Sequence, residues 1–188
     1  MIPLFDKKIS KKIPYVTILL VSVNIVLFFV FKNNLIPSCA FIPGEFSIVT
    51  LFTHMFLHAN IFHLLINIWF LWVFGDAIEN RIGHLKFLLF YLLCGICSAL
   101  IYFLIGDNLN VPLVGASGAI SGILGSYLVL FPKNKLKVFP NFTFPSFLYI
   151  SLWFLLQLLF IYFDSGSVSY LGHVGGFLSG FILILFFK

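Results

Sequence analysis

The sequence predicts an all-α polytopic membrane protein, built as a bundle of six transmembrane helices. Hydrophobic residues make up 61% of the 188 residues and charged residues only 9%. The mean hydropathy of +1.12 exceeds what a water-soluble domain of this length carries. Six apolar runs have about the length that crosses a hydrocarbon core. No soluble domain, low-complexity tract or internal repeat separates them, so we expect one membrane domain over residues 1–188.

The bounds of the six predicted spans follow from the apolar runs and the residues that interrupt them. The second apolar run is short unless it continues through Gly75 to Glu79, and the fourth begins just after a loop that contains Pro112. With the second run extended in this way, the predicted spans cover residues 15–31, 60–79, 85–105, 114–131, 147–163 and 169–187.

The basic residues predict how the bundle is oriented. Although the net charge is +5, the charges follow the loops between spans, so no nucleic-acid partner is expected. With a cytoplasmic N-terminus, the outside loops carry only Lys32, and the inside segments carry Lys7, Lys8, Lys11, Lys12, Arg81, Lys86, Lys133, Lys135, Lys137 and Lys188. This distribution predicts that both termini are cytoplasmic and that the second, fourth and sixth spans run from outside to inside.

A cleaved signal peptide is the alternative interpretation of the first span. A basic region precedes the apolar run, and Ser38-Cys39-Ala40 resembles a processing site. Removing the first helix would leave an odd number of spans, so we favour a first helix that is retained.

A serine in the fourth span and a histidine in the sixth are predicted to lie at matching depth. Ser117 precedes Lys133 by sixteen residues, and His173 precedes Lys188 by fifteen. At 1.5 Å per residue these spacings correspond to roughly 24 Å and 22 Å above the cytoplasmic anchors, in a core of about 30 Å. Because the two spans run in the same direction, both side chains are expected below the outer surface.

Glycines predict that these two spans touch. On the fourth span they recur at intervals of three and four, and on the sixth span at intervals of four. Small residues let two helix backbones approach closely, so each row is interpreted as a packing face that brings the serine and the histidine together. The glycines concerned are Gly115, Gly118, Gly122 and Gly125 on the fourth span, and Gly172, Gly176 and Gly180 on the sixth.

These residue types point to nucleophilic catalysis. A serine hydroxyl needs a base to take its proton, and His173 is the expected base for Ser117. His63 and Asn67 lie one helical turn apart and, with the backbone N–H of Ser117, are suited to bind an oxyanion. One such donor contributes about 3 kcal/mol. No acidic residue within a span is available to orient His173, which predicts a dyad rather than a triad.

Four motifs resemble those of the rhomboid intramembrane serine proteases. The first two are GASG at residues 115–118, followed by Gly122, and the spacing of His173, Gly176 and Gly180. The others are HLLIN at residues 63–67, which matches the family's HxxxN, and GDAIENRIG at residues 75–83, which matches its GxxxExxxG. The resemblance covers nearly the whole chain.

The resemblance implies a fold, an activity and a location. It implies the basic bacterial form with six helices and both termini inside, in the bacterial cytoplasmic membrane. It also implies cleavage of transmembrane protein substrates within the lipid bilayer by Ser117 and His173, with His63 and Asn67 as oxyanion donors and no cofactor. A rhomboid-like protein that binds transmembrane helices without cutting them remains the alternative, although such proteins usually lack the serine or the histidine. The oligomeric state is left open.

Three positions depart from the family pattern. Phe46-Ser47 stands where a Trp-Arg pair is usual in the first external loop, and Gly172 stands where alanine is commoner. Ser121 replaces an aromatic residue that usually packs on the catalytic histidine. We expect its hydroxyl to bond either to His173 or to a backbone carbonyl.

Other chemistries are disfavoured. The histidines at 54, 58 and 63 invite a metal hypothesis, but no HExxH motif and no suitably placed carboxylate accompanies them, so no metal is expected. An aspartyl protease needs two carboxylates that share one buried site, whereas Asp107 and Asp164 are expected in external loops.

Overall fold

Six apolar helices make up most of the chain. The structure is a computed structural model that describes residues 3–6, 12–106, 108–138, 142–163 and 168–188. The helices are α1 (Tyr15–Phe31), α2 (Ile61–Ile82), α3 (His84–Ile105), α4 (Ser117–Leu130), α5 (Ser146–Phe163) and α6 (Tyr170–Phe187).

Four of the helices, α2, α3, α5 and α6, are long and apolar enough to cross a membrane. The other two, α1 and α4, are also apolar but have 17 and 14 residues. Many large apolar side chains on α1, α2 and α5 face outwards, as expected of helices in contact with lipid. The predicted fold class is therefore supported as a helical membrane bundle, and the count of six crossings stays a prediction.

Two helix boundaries differ from the sequence-based expectation by three residues, and the others agree within one residue. The second helix extends past Glu79 to Ile82 and includes one π-helical turn at Leu71–Gly75. It ends at Gly83, whose φ of +89° favours glycine. The fourth helix begins at Ser117, three residues later than predicted, because the chain before it is held in an extended pairing and a positive-φ turn at Gly115.

A three-stranded antiparallel sheet was not predicted. Its strands are β1 (Pro3–Asp6), β2 (Lys135–Val138) and β3 (Phe142–Pro145), in the order β1-β2-β3. In the β1–β2 pair Pro3 lies opposite Val138, and in the β2–β3 pair Lys135 lies opposite Pro145. The sheet joins the residues before α1 to the segment between α4 and α5, so both lie at the same end of the bundle.

Glu79 strengthens this end of the bundle. Its buried carboxylate accepts hydrogen bonds from the backbone N–H groups of Val16 and Thr17, at 2.8 and 2.7 Å, and from the Thr17 hydroxyl at 2.7 Å. It also contacts His84 Nδ1, at the start of α3. Apart from Lys32, which follows α1 at the opposite end, the described basic residues cluster here, near the start of α1, the α2–α3 junction, the α4–α5 segment and the end of α6: Lys12, Arg81, Lys86, Lys133, Lys135, Lys137 and Lys188. Lys7, Lys8, Lys11, Asp107 and Asp164 lie outside the described residues.

At the opposite end, the segment between α1 and α2 folds over the start of α4. It consists of short helical turns, at Lys32–Leu35, Ile36–Cys39, Pro43–Glu45, Thr50–Thr53 and His54–Phe56. Phe41 forms an antiparallel bridge with Leu113, with N···O distances of 3.1 and 2.8 Å. The carbonyl oxygen of His54 accepts a hydrogen bond from the N–H of Gly115 at 2.9 Å. These bonds fix the chain that leads into α4.

The interior of the bundle is formed by α4, which packs against α3 and α6. Every residue from Gly118 to Tyr127 is buried. A Cβ on Gly176 would overlap the carbonyl oxygen of Gly118, and a Cβ on Gly180 would overlap that of Gly122. The central glycines of the two predicted rows therefore meet, and α4 and α6 touch backbone to backbone there. Gly115 instead lies before α4 and faces His63, and Gly172 faces Ser169 and Ser98.

Candidate active site

Ser117 and His173 lie face to face across the contact between α4 and α6. Ser117 is the first residue of α4, and His173 lies in the first turn of α6. The Nε2 atom of His173 is 2.9 Å from the Oγ of Ser117, a hydrogen-bond distance. Both side chains are half-buried. The structure therefore brings together the two residues that the spacing to Lys133 and Lys188 predicts at matching depth.

Gly115 shapes the backbone just before the serine. Its φ of +117° lies in the region that favours glycine. A Cβ at this position would lie 2.7 Å from both Cε1 and Nε2 of His63 and 3.7 Å from the Oγ of Ser117. The absence of a side chain thus allows the imidazole of His63 to approach the serine.

The predicted oxyanion donors lie on the first turns of α2. Asn60 caps this helix, and its Oδ1 accepts a hydrogen bond from the N–H of His63 at 2.9 Å. The Nδ2 of Asn67 donates to the carbonyl oxygen of His63 at 2.7 Å, which leaves the second amide hydrogen for another acceptor. Because Ser117 begins α4, its own N–H has no acceptor within the helix.

These residues line one cavity at the end of the bundle opposite the basic cluster. The cavity has a volume of about 1070 Å³ and extends between the starts of α4 and α6 and the ends of α3 and α5. This volume is at the upper limit for small-molecule pockets and gives room for a peptide segment. The polar side chains in its wall include those of Ser117, His173, His63, Asn67 and Gln157.

Two serines fix the backbone around the pair. The hydroxyl of Ser121 donates to the carbonyl oxygen of Ser117 at 2.7 Å. Of the two partners expected for this hydroxyl, His173 or a backbone carbonyl, the structure has the carbonyl. On α3, the hydroxyl of Ser98 donates to the carbonyl oxygen of Gly172 at 2.6 Å. The same hydroxyl occupies the place of a side chain at Gly118, because a Cβ there would overlap it. Ser98 thus ties α3 to the first turns of both α4 and α6.

Sequence reasoning missed three neighbours of His173. The Oε1 of Gln157 lies 2.8 Å from its Nδ1, and the rings of Trp153 and Tyr170 have centroids 6.3 and 6.1 Å from the imidazole. Trp153 and Tyr170 are aromatic neighbours of the histidine, while the expected position for such a residue holds Ser121. The available signal was that Gln157 is the only glutamine of the chain and stands in an apolar span.

Two further histidines, His54 and His58, lie beside the site, in the segment between α1 and α2. His54 is buried with its Nδ1 3.0 Å from the carbonyl oxygen of Thr50, and burial lowers its pKa to about 4. The ring of His58 packs edge-on against that of His63, with centroids 5.1 Å apart. Burial, and then the neighbouring His63, lower the pKa of His58 to about 3. Within the described ranges no group of three or more histidine, cysteine or acidic side chains is arranged to hold a metal ion.

The apolar helices, with a serine–histidine pair in a cavity between them, define an integral membrane protein. The chain belongs to the rhomboid family, since the Rhomboid domain matches residues 45–188. Similar proteins include the rhomboid protease GluP of Bacillus subtilis, 32% identical over 89% of the chain. They also include YdcA of the same organism, 35% identical over 71%, and RHOMBOID-like protein 1 of Arabidopsis thaliana, 32% identical over 71%. The chain spans 34%, 64% and 33% of these relatives, less than two thirds of each.

Proposed function

We propose that this protein is an intramembrane serine endopeptidase, which hydrolyses peptide bonds in or near transmembrane segments of membrane-protein substrates. The observation that carries the proposal is the 2.9 Å contact between His173 Nε2 and Ser117 Oγ. It lies in a cavity that also contains His63 and Asn67. Membership of a family with named proteases supports the same reaction class.

The first half of the reaction forms an acyl-enzyme. His173 takes the proton of the Ser117 hydroxyl as the oxygen attacks the substrate carbonyl carbon. The carbonyl oxygen becomes an oxyanion, which accepts hydrogen bonds from the N–H of Ser117 and from the His63 and Asn67 side chains. His173 then gives its proton to the departing amine, the C–N bond breaks, and the new N-terminus leaves.

The second half restores the enzyme. A water molecule in the cavity loses a proton to Nε2 of His173 and attacks the acyl carbon, and the same donors hold the new oxyanion. The ester bond to Ser117 breaks, and its Oγ regains the proton from His173. The reaction consumes one water and requires no cofactor and no metal.

The charge distribution supports a direction for substrate entry. The positive-inside rule assigns the basic end of the bundle to the cytoplasm, which leaves the cavity near the outer face. We propose six crossings with both termini inside, in one domain over residues 1–188, and a location in the bacterial cytoplasmic membrane. The partners are then transmembrane substrates and the surrounding lipid bilayer.

The same geometry supports a preferred cleavage position. Peptide bonds within a stable helix are shielded, so a substrate must unwind locally before its carbonyl reaches Ser117. Cleavage is therefore expected in the outer portion of the substrate's transmembrane segment, at small residues with helix-weakening Gly or Pro nearby.

The test is cleavage of a model transmembrane substrate by purified protein in vesicles, with fragment masses determined by mass spectrometry. Ser126→Ala is the matched control, because Ser126 lies on the same helix and bonds only locally, to the Ile123 carbonyl oxygen at 2.8 Å. We expect cleavage by wild type and Ser126→Ala and none by Ser117→Ala. Binding of the substrate without cleavage by wild type would favour the non-cleaving alternative, and cleavage at the cytoplasmic end would contradict the depth assigned to the site.

A further inference from the structure

The glutamine on α5 contacts the imidazole on the side away from Ser117. Gln157 is buried, with 8% of its surface exposed, while its neighbours Leu155, Leu156, Leu158 and Leu159 are 37–58% exposed. Its Oε1 lies 2.8 Å from Nδ1 of His173, and its Nε2 lies 3.5 Å from the carbonyl oxygen of Trp153. Gln157 thus turns the single amide of α5 towards the site, while the residues on either side of it are exposed.

We propose that Gln157 is a positioning residue that holds His173 in the tautomer required of a general base, an inference that rests on the proposed function. A carbonyl oxygen can only accept, so the amide NH₂ of Gln157 faces the Trp153 carbonyl and its Oε1 faces Nδ1. Nδ1 must then carry the hydrogen. A neutral imidazole has only one, so the lone pair of Nε2 points at the Ser117 hydroxyl.

An amide suits this position in a membrane better than a carboxylate. In soluble serine proteases a buried aspartate fixes the tautomer of the histidine and also stabilises its charged form. A buried charge is costly within a bilayer, whereas a neutral amide selects the tautomer without that cost. The expectation that no acidic residue orients His173 is compatible with an orienting group that carries no charge.

Of the neighbours of the His173 imidazole, Gln157 is the one that selects its tautomer. The rings of Trp153 and Tyr170 flank it at centroid distances of 6.3 and 6.1 Å. Neither of these ring contacts is a recorded hydrogen bond to an imidazole nitrogen. Among the described residues, the hydrogen bonds recorded for its ring nitrogens are those to Gln157 and Ser117. The Ser117 hydroxyl can donate or accept, so only the amide oxygen imposes a direction.

Two substitutions separate the acceptor from the bulk of the side chain. Gln157→Leu keeps a similar size and suits lipid but removes the acceptor, and Gln157→Glu retains an oxygen that can accept from Nδ1. We expect Gln157→Leu to lower kcat by about tenfold to a hundredfold with KM within twofold of wild type, less than the loss that accompanies the wrong tautomer in a charged triad. Gln157→Glu is expected to recover most of that loss. Leu159→Ala, on the exposed side of the same helix, serves as the control and should match wild type.

The tautomer itself is read by nitrogen-15 NMR of the histidine rings in detergent micelles. The chain has 5 histidines, and the spectrum of His173→Ala identifies the signals of His173. We expect wild type to show a protonated Nδ1 and Gln157→Leu to show a mixture of tautomers. An unchanged tautomer in folded Gln157→Leu, or unchanged kcat, would overturn the inference, as would a loss confined to KM or thermal stability. If wild type itself cleaves nothing, the proposed function fails, while the NMR comparison still decides whether Gln157 sets the tautomer.

Discussion

Gly118 of α4 and Gly176 of α6 are in backbone contact, with no side chain between them. A Cβ on Gly176 would overlap the carbonyl oxygen of Gly118. The contact lies one residue beyond Ser117 and three residues beyond His173, so the distance between the two helices at this point also sets the distance between the two side chains. Packing and chemistry therefore depend on the same glycines.

Gly176→Ala should push the two helices apart. We expect the free energy of unfolding to fall by about 1–3 kcal/mol, the usual cost of overpacking, and cleavage to fall at least tenfold. Leu178→Ala, on the exposed side of the same helix, is the control. Equal loss of activity in the two variants would show that cleavage does not depend on the backbone contact between Gly118 and Gly176. Detergent unfolding curves and substrate cleavage provide the two measurements.

Gly115→Ala should damage the site through His63. The new Cβ would meet the imidazole at 2.7 Å, and a φ of +117° strains any residue with a side chain. Gly83→Ala provides the control, since φ is +89° there but no atom lies within 4 Å of the added Cβ. Both variants are expected to lose about 1–2 kcal/mol of stability, and only Gly115→Ala should also lose cleavage. Full cleavage activity in both variants would show that catalysis does not depend on the close approach of His63 to Gly115.

His63→Ala and Asn67→Ala should each reduce turnover more than substrate affinity. Donors aimed at a developing oxyanion act mainly in the transition state, and the loss of one costs about a hundredfold in kcat. The loss is partial, because the N–H of Ser117 and the remaining side chain still donate. Leu65→Ala, on the exposed face of the same helix, is the control. Steady-state kinetics give the answer, and a rise in KM alone would assign these residues to substrate binding.

Stability should fall as the pH is lowered through the range in which unfolded histidines titrate. The pKa values of His54 and His58 are about 4 and 3 in the folded protein, against 6.5 for an unperturbed histidine. Between pH 6.5 and about 4 the unfolded chain therefore binds more protons, and each histidine lowers the free energy of unfolding by up to about 1.4 kcal/mol per pH unit. We expect His58→Phe to reduce this slope by up to about 1.4 kcal/mol per pH unit between pH 6.5 and 5. Unfolding curves at several pH values measure this dependence. If the free energy of unfolding changes with pH at the same rate in wild type and variant, His58 does not contribute to it.

Local patterns in the sequence were sufficient to place Ser117 opposite His173. Both precede a basic residue by nearly the same number of positions on parallel helices, and the regular glycine spacing predicts close contact. The later start of α4 was not predictable in this way, because it depends on the turn at Gly115, and the apolar run continues through it. The roles of Ser117, His173, His63 and Asn67 in catalysis stay predictions.

The remaining features depend on contacts between distant parts of the chain. Pairing of β1 with β2 joins Pro3 to Val138, and four-residue strands carry too little periodicity to be recognised. The direction in which Gln157 points depends on how α5 is rotated against α6, and an almost uniformly apolar helix does not encode that rotation. A lone amide in such a helix indicates a polar neighbour without identifying it.

The central claim is that Ser117 is a nucleophile activated by His173. The most direct measurement is covalent labelling of the purified protein with a fluorophosphonate, followed by intact mass determination and peptide mapping. We predict one adduct on wild type, mapped to Ser117, labelling of Ser126→Ala at the wild-type rate, and none of Ser117→Ala or His173→Ala above background. An adduct at another serine, or equal labelling of wild type and His173→Ala, would contradict the account.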